Sequence, residues 1–403
     1  FEPDPLFERD TTMAPPPTDS SPEPEIVQSL SRDERADARR RVEALPQFSP
    51  RDIEQRLLEK GYRGQGYARR AGSVLAYRHL QRLRLDFIEN LPTDDLPLRE
   101  NYLFLGATGS GKTYLCELLF KEILAVPTVV ADVTRYSETG YIGDDVLMLL
   151  SELFESADQS RAWASCGVIC LDEFDKLAAS RSAARFAGEG TTKDVSGFGV
   201  QRGLLNMLSG VSSPFPTDFG YSGFGQRVNM PLRNIMFVAC GAFSGLQEAA
   251  ALSEGTPEIG FTSKLKKSTG DSLVAKIGAE IMENTKAFAN YGILPELIGR
   301  FSRLVPFQPL EEEVLKQILE ENLLGSYRRE FARENVELII EDEVVDHIIS
   351  SARKRETGAR GLRASLVPHL EEAAFQTFGD SGGATAHLTI REGEIQLEVS
   401  HLV

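Results

Sequence analysis

Cysteine is scarce in this sequence. Only Cys116, Cys166, Cys170 and Cys240 occur, each inside an apolar stretch, and the one close pair, Cys166 and Cys170, has no second ligand pair nearby. That spacing reads as reduced core residues and argues against zinc. No uninterrupted apolar run is long enough to cross a bilayer, and no basic-then-apolar leader with a small-residue cleavage site opens the chain. The expected compartment is therefore the cytoplasm, away from any membrane. Basic residues are outnumbered, 44 against 60 acidic, for a net charge of -16. With no dominant basic patch, this balance opposes nucleic acid as a partner.

What the chain does contain is an ordinary globular composition, 41% hydrophobic and 26% charged over 403 residues, enough for two or three domains. The first 25 residues hold seven prolines and seven acidic residues against one arginine, too little apolar surface to offset ordering. Residues 1–30 are thus expected to be a disordered acidic, proline-rich tail. A helical segment follows over 31–60, where Ser49 is a plausible N-cap with Pro50 in the first helical position.

From 61 to 308 short apolar runs alternate with helical patterns: NYLFLGA, PTVVADV, GVICLDEF and NIMFVACGAF. Buried strands separated by helices predict an α/β domain, a central parallel sheet flanked by helices. Segments 180–200 and 211–231 read as long loops inside it. Residues 309–403 predict a smaller, mainly helical C-terminal domain with a small sheet, closed by the hairpin pattern AHLTIREGEIQLEVS.

The run GATGSGKT fits a P-loop, preceded by a strand pattern and followed by a helix. In it Gly106, Ala107, Thr108, Gly109, Ser110 and Gly111 supply backbone N–H groups to phosphates, Lys112 a point charge, and Thr113 a hydroxyl for Mg²⁺. Some sixty residues later GVICLDEF ends in two adjacent carboxylates. Asp172 suits Mg²⁺ held through water, and Glu173 suits polarisation of the attacking water. Together the two motifs predict binding of ATP with Mg²⁺, followed by hydrolysis.

The segments GYRGQGYARRAGSVLAYRHLQRLR, GYIG, TKDVSGFGVQRGLLNMLSG, ACGAFSGL, YGILPELIGRF and ETGARGLR occur in order. Over about Ser49 to Leu366 they closely resemble ClpX, a family of AAA+ protein unfoldases. The resemblance implies a large AAA+ nucleotide-binding domain over 61–308, a small AAA+ domain over 309–403, and a homohexameric ring that threads protein substrates through a central pore. By position, Arg300 matches the arginine finger, with Arg303 a nearby rival, and Arg360 matches the sensor-2 arginine. Gly64 and Gln65 fall where the family contacts adenine, although Arg63 replaces its usual Ile. The sensor-1 position near Cys240 has no assignable residue.

GYIG resembles the pore loop, with Tyr141 and Ile142 as a grip working by area and dispersion. Ile259, Gly260 and Phe261 match the loop that docks on the ClpP peptidase, apolar anchors on an arm. The family's N-terminal zinc-binding domain has no counterpart, since no two cysteine pairs precede residue 100. The expected function is thus the unfoldase and specificity subunit of a ClpP-like protease, with a peptidase-independent remodeller of one dedicated complex as the alternative.

Overall fold

The computed structural model describes residues 30–137, 144–178, 197–217, 227–246, 280–281, 283–355, 357–379 and 383–401. Expectations placed on Tyr141, Ile142, Ile259, Gly260 and Phe261 lie outside the described residues.

Helix α1 (Arg32–Ala44) opens with a capping box: the Glu34 N–H donates to Ser31 Oγ at 3.2 Å, and the Ser31 N–H donates to Glu34 Oε2 at 2.7 Å. Helix α2 (Pro50–Glu59) repeats the device with Ser49 and Asp52, and Pro50 costs no hydrogen bond in the first turn. Both helices pack into the same apolar core as α3 (Gly66–Phe87) and the sheet.

The sheet is parallel and five-stranded, built from β1 (Tyr102–Leu105), β2 (Thr128–Asp132), β5 (Val168–Asp172), β8 (Met236–Gly241) and β9 (Arg303–Pro306) in the order β2-β5-β8-β1-β9. Strands β1 and β8 are buried at every position, as continuous apolar runs must be when helices cover both faces. Two-residue strands β3 (Tyr136–Ser137) and β4 (Asp144–Asp145) pair with each other. Helix α4 (Lys112–Cys116) leaves the P-loop and continues through a wider-wound turn over Glu117–Ile123. Helices α5 (Met148–Ser156), α6 (Arg161–Ala164) and α7 (Gly197–Ser209) complete the packing.

The segment 211–231, expected to be a loop, has paired strands at its ends. Strands β6 (Ser212–Pro216) and β7 (Arg227–Pro231) form an antiparallel ladder. Past α8 (Thr285–Tyr291) and α9 (Pro295–Ile298) the chain enters β9.

A second apolar cluster begins at Leu315. It is built by α10 (Glu312–Gln317), α11 (Gly325–Arg333), α12 (Asp342–Lys354), α13 (Gly358–Thr377) and a three-stranded sheet of β10 (Val336–Ile340), β11 (Ala384–Arg391) and β12 (Glu394–His401). The β11-β12 turn places Glu392 and Gly393 at φ +54° and +84°. Two consecutive positive φ values match the twist of a tight hairpin.

Candidate active site

A cavity of about 500 Å³ opens between the two clusters. Thr108 to Thr113 form its floor, Asp172 and Glu173 one wall with Gly241 and Ala242, and Leu310, Ile318, Asn322 and Leu323 the opposite side. Strands β1, β5 and β8 bring the P-loop, Asp172 with Glu173, and Gly241 with Ala242 together, because in a parallel sheet every strand delivers its C-terminal end to the same edge.

The P-loop is poised for an anion. Gly109 and Gly111 adopt φ +76° and +94°, a left-handed geometry that turns backbone N–H groups one way. The Ser110 hydroxyl is buried and has no hydrogen-bond partner among the described residues. Lys112, 7% exposed, folds its Nζ back onto the carbonyls of Gly106 at 2.7 Å and Ala107 at 3.0 Å. Burial lowers its pKa, against the opposing pull of neighbouring acidic groups that include Asp172, Asp175 and Glu173. A phosphate arriving here meets an underused cation and a donor without a partner, so the residues fit a nucleoside triphosphate.

Thr113 Oγ1 donates to Asp172 Oδ2 at 2.8 Å, and Asp172 Oδ1 accepts from the Glu173 N–H at 2.9 Å. One hydroxyl beside one carboxylate fits Mg²⁺, which keeps most of its shell as water and phosphate oxygen. Glu173 has φ +54°, an uncommon conformation for a residue with a Cβ, of the kind held at functional positions.

Several participants were not legible in the sequence. Asp175, 2% exposed, accepts from the Ala242 N–H at 3.0 Å and so ties the end of β8 to the turn after β5. Tyr62 donates to the Gly111 carbonyl at 3.2 Å and stacks on Tyr114 with ring centroids 6.0 Å apart. Arg363 lines the cavity beside Arg360. For Arg363 the Arg-x-x-Arg spacing was the available signal, since residues three apart meet on one face of a helix.

Gly64 and Gln65 do not line the cavity. The Gln65 amide is occupied behind the wall, donating to the carbonyls of Ser110 at 3.2 Å and Gln308 at 2.6 Å while its oxygen accepts from the Gln308 N–H at 3.0 Å. Gly61, Tyr62 and Arg63 line that end instead. Arg63 is drawn across to Glu321, with Nε to Oε2 at 2.8 Å.

Arg300 and Arg303 differ sharply. The Arg303 guanidinium lies over the rings of Tyr67 and Tyr102 and donates to Tyr67 Oη at 2.7 Å. Arg300 is exposed and lies outside its own chain's cavity, and its guanidinium makes no hydrogen bond or ion pair among the described residues.

Residues 99–304 match the family described as AAA domain (Cdc48 subfamily), and residues 310–378 match the C-terminal, D2-small domain, of ClpB protein. The chain is 38% identical over 338 residues, 80% of its length and 74% of the relative's, to the ATP-dependent Clp protease ATP-binding subunit ClpX 3 of Methylococcus capsulatus. The chain belongs to the ClpX family of AAA+ ATPases. Like other members of that family it is an ATP-hydrolysing enzyme, and its cavity between two apolar clusters coincides with the junction of the two matched family regions. No helix among the described residues is long and apolar enough to cross a membrane.

Proposed function

We propose that ATP turnover at this cavity drives the unfolding and translocation of protein substrates through the pore of a cytoplasmic homohexamer, which delivers them to a ClpP-like peptidase. The observation that carries the reading is the contrast between Arg300, exposed and with its guanidinium unpaired among the described residues, and Arg303, held by two tyrosines. A guanidinium displayed at the surface, outside the cavity of its own chain, is suited to reach the phosphates bound by a neighbouring subunit, where charge develops during transfer. A ring then becomes a requirement for turnover.

Within one subunit, the P-loop amides and Lys112 hold and orient the outer phosphates, while Thr113 and Asp172 hold Mg²⁺, which offsets phosphate charge when bound. Glu173 receives a proton from the attacking water. Arg360, on the first turn of α13 and lining the cavity, senses whether the terminal phosphate is present and moves the C-terminal cluster accordingly. Tyr141 and Ile142 would grip substrate, and Ile259, Gly260 and Phe261 would dock on the peptidase.

The test is to tag Glu173→Gln, purify it with ATP from its native lysate and identify the retained proteins. Peptidase subunits together with many unrelated polypeptides support the reading. A single partner complex without peptidase overturns it in favour of a dedicated remodeller.

A further inference from the structure

Away from the nucleotide cavity, a second hollow of about 270 Å³ lies between α1, α3 and the turn from β7 to β8. Behind its lining lies an imbalance of charge. Asp86, 1% exposed, accepts from Arg233 Nη2 at 2.6 and 2.7 Å, from Arg35 Nη2 at 3.0 Å and from Asn234 Nδ2 at 2.5 Å. A third guanidinium, that of Arg82, stands behind them and donates from Nε to Asn234 Oδ1 at 3.1 Å. Among the described residues, one carboxylate is therefore paired with two guanidiniums and attracts a third.

Arg35 and Arg233 line the hollow with side chains 34% and 29% exposed. Each guanidinium has five N–H donors, and the bonds made among the described residues use only part of them. Much of the remaining wall is apolar, with Leu30, Phe87, Pro231 and Val211, the last 77% exposed. The hollow thus combines cationic donors with a greasy lip, the features that receive a carboxylate carried on an apolar segment.

Leu30 is both part of this lip and the point at which the acidic, proline-rich stretch joins the described chain. The residues just ahead of it read EPEIVQS from 23 to 29, two carboxylates followed by an Ile-Val pair. We propose that this hollow is the docking site of the chain's own segment 23–29, with Ile26 and Val27 against Pro231 and Val211, and with Glu23 and Glu25 paired to Arg35 and Arg233. Glu25 is five residues from Leu30, and an extended stretch of that length spans up to ~17 Å, enough to cross a hollow of this size. Because the segment is tethered at the lip, its effective concentration is on the order of millimolar, so contacts too weak for a free peptide suffice.

The native cysteines are all buried, which lets an introduced pair report on the contact. In the full chain, Val27→Cys with Val211→Cys is oxidised mildly, with and without the added substitutions Glu23→Lys and Glu25→Lys, so that the length of the tether is the same in both. The expected result is an intramolecular disulfide forming about tenfold faster in the chain that keeps both glutamates, a difference that high salt lowers. These substitutions sit in the tail and on an exposed position, so folding is not at stake. Equal rates in the two chains, or disulfides forming only between chains, overturn the proposal.

Discussion

The backbone N–H of Ala359 donates to the carbonyl of Gly109 at 3.2 Å, so the tip of the P-loop is bonded directly to the first turn of α13. The approach is closer than any side chain allows. A Cβ on Gly109 would lie 2.2 Å from the Thr357 carbonyl oxygen, and one on Gly358 would lie 2.6 Å from the Gly109 oxygen. Two glycines in direct contact beside the cavity couple the phosphate loop to the C-terminal cluster through backbone alone. Any movement of one cluster against the other is then felt where phosphate binds.

Gly358→Ala should strain this contact. Its φ of +54° disfavours a Cβ, and the clash would separate the two backbones. Losing one hydrogen bond together with local strain, ~1.5 kcal/mol in sum, should raise the Michaelis constant for ATP about tenfold while kcat changes less. Steady-state ATPase assays check this, and an unchanged Michaelis constant would mean that the contact is idle.

Lys112→Ala removes the one ammonium among the described residues that line the cavity. Charge-assisted bonds contribute roughly 1.5–3 kcal/mol each and Lys112 serves more than one phosphate oxygen, so affinity should fall by about two orders of magnitude or more. Titration with a fluorescent nucleotide reads the loss directly.

Glu173→Gln keeps the shape of the side chain and removes its basicity. Nucleotide affinity should stay within about twofold, whereas hydrolysis should fall ~10²–10⁴-fold. Comparable turnover in the variant would assign water activation to another group.

Asp175→Ala leaves the Ala242 N–H without its acceptor beside the cavity. A buried donor without a partner costs about 1–3 kcal/mol, to be seen as a lower urea midpoint. Asp175→Asn retains an acceptor oxygen and should recover most of that stability.

His79 supplies a pH test. It is buried, Nε2 donates to the Cys166 carbonyl at 2.9 Å, and burial pushes its pKa down to about 4. The unfolded chain titrates this group near 6.5, so between the two values the unfolded state holds the extra proton. The stabilisation is complete above about pH 6.5 and is lost as pH falls toward 4. Urea titrations from about pH 7 to about pH 5 should show a loss of ~2 kcal/mol from this group, and His79→Gln should lack that part of the slope whatever its stability at neutral pH.

The strands β1, β2, β5 and β8, the P-loop turn and the final hairpin were legible because each rests on a local rule: continuous apolar runs, glycines at φ above zero, a two-residue turn. Strand β9 was not, since it starts at Arg303 and ends at Pro306 and looks too polar and too short. Its place at the sheet edge, beside β1, explains why a proline is tolerated there. Strand β10 was hidden between two helical patterns, although its alternating burial has the period of a strand.

The sequence by itself determined the nucleotide chemistry, because phosphate binding needs particular residues adjacent in the chain, as in Gly106 to Thr113 and in the Asp172-Glu173 pair. It also determined the family, through motifs spread over most of the length. Tertiary structure alone decided which candidates meet. It moved Gln65 behind the cavity wall and brought Tyr62 and Asp175 to bear on the site. It also occupied Arg303 with two tyrosines while leaving Arg300 exposed, and set Gly109 against Gly358, 249 residues later. The physical reason is that partners in buried hydrogen bonds and close backbone contacts are chosen by packing between distant segments, and no local pattern of residue types records that choice.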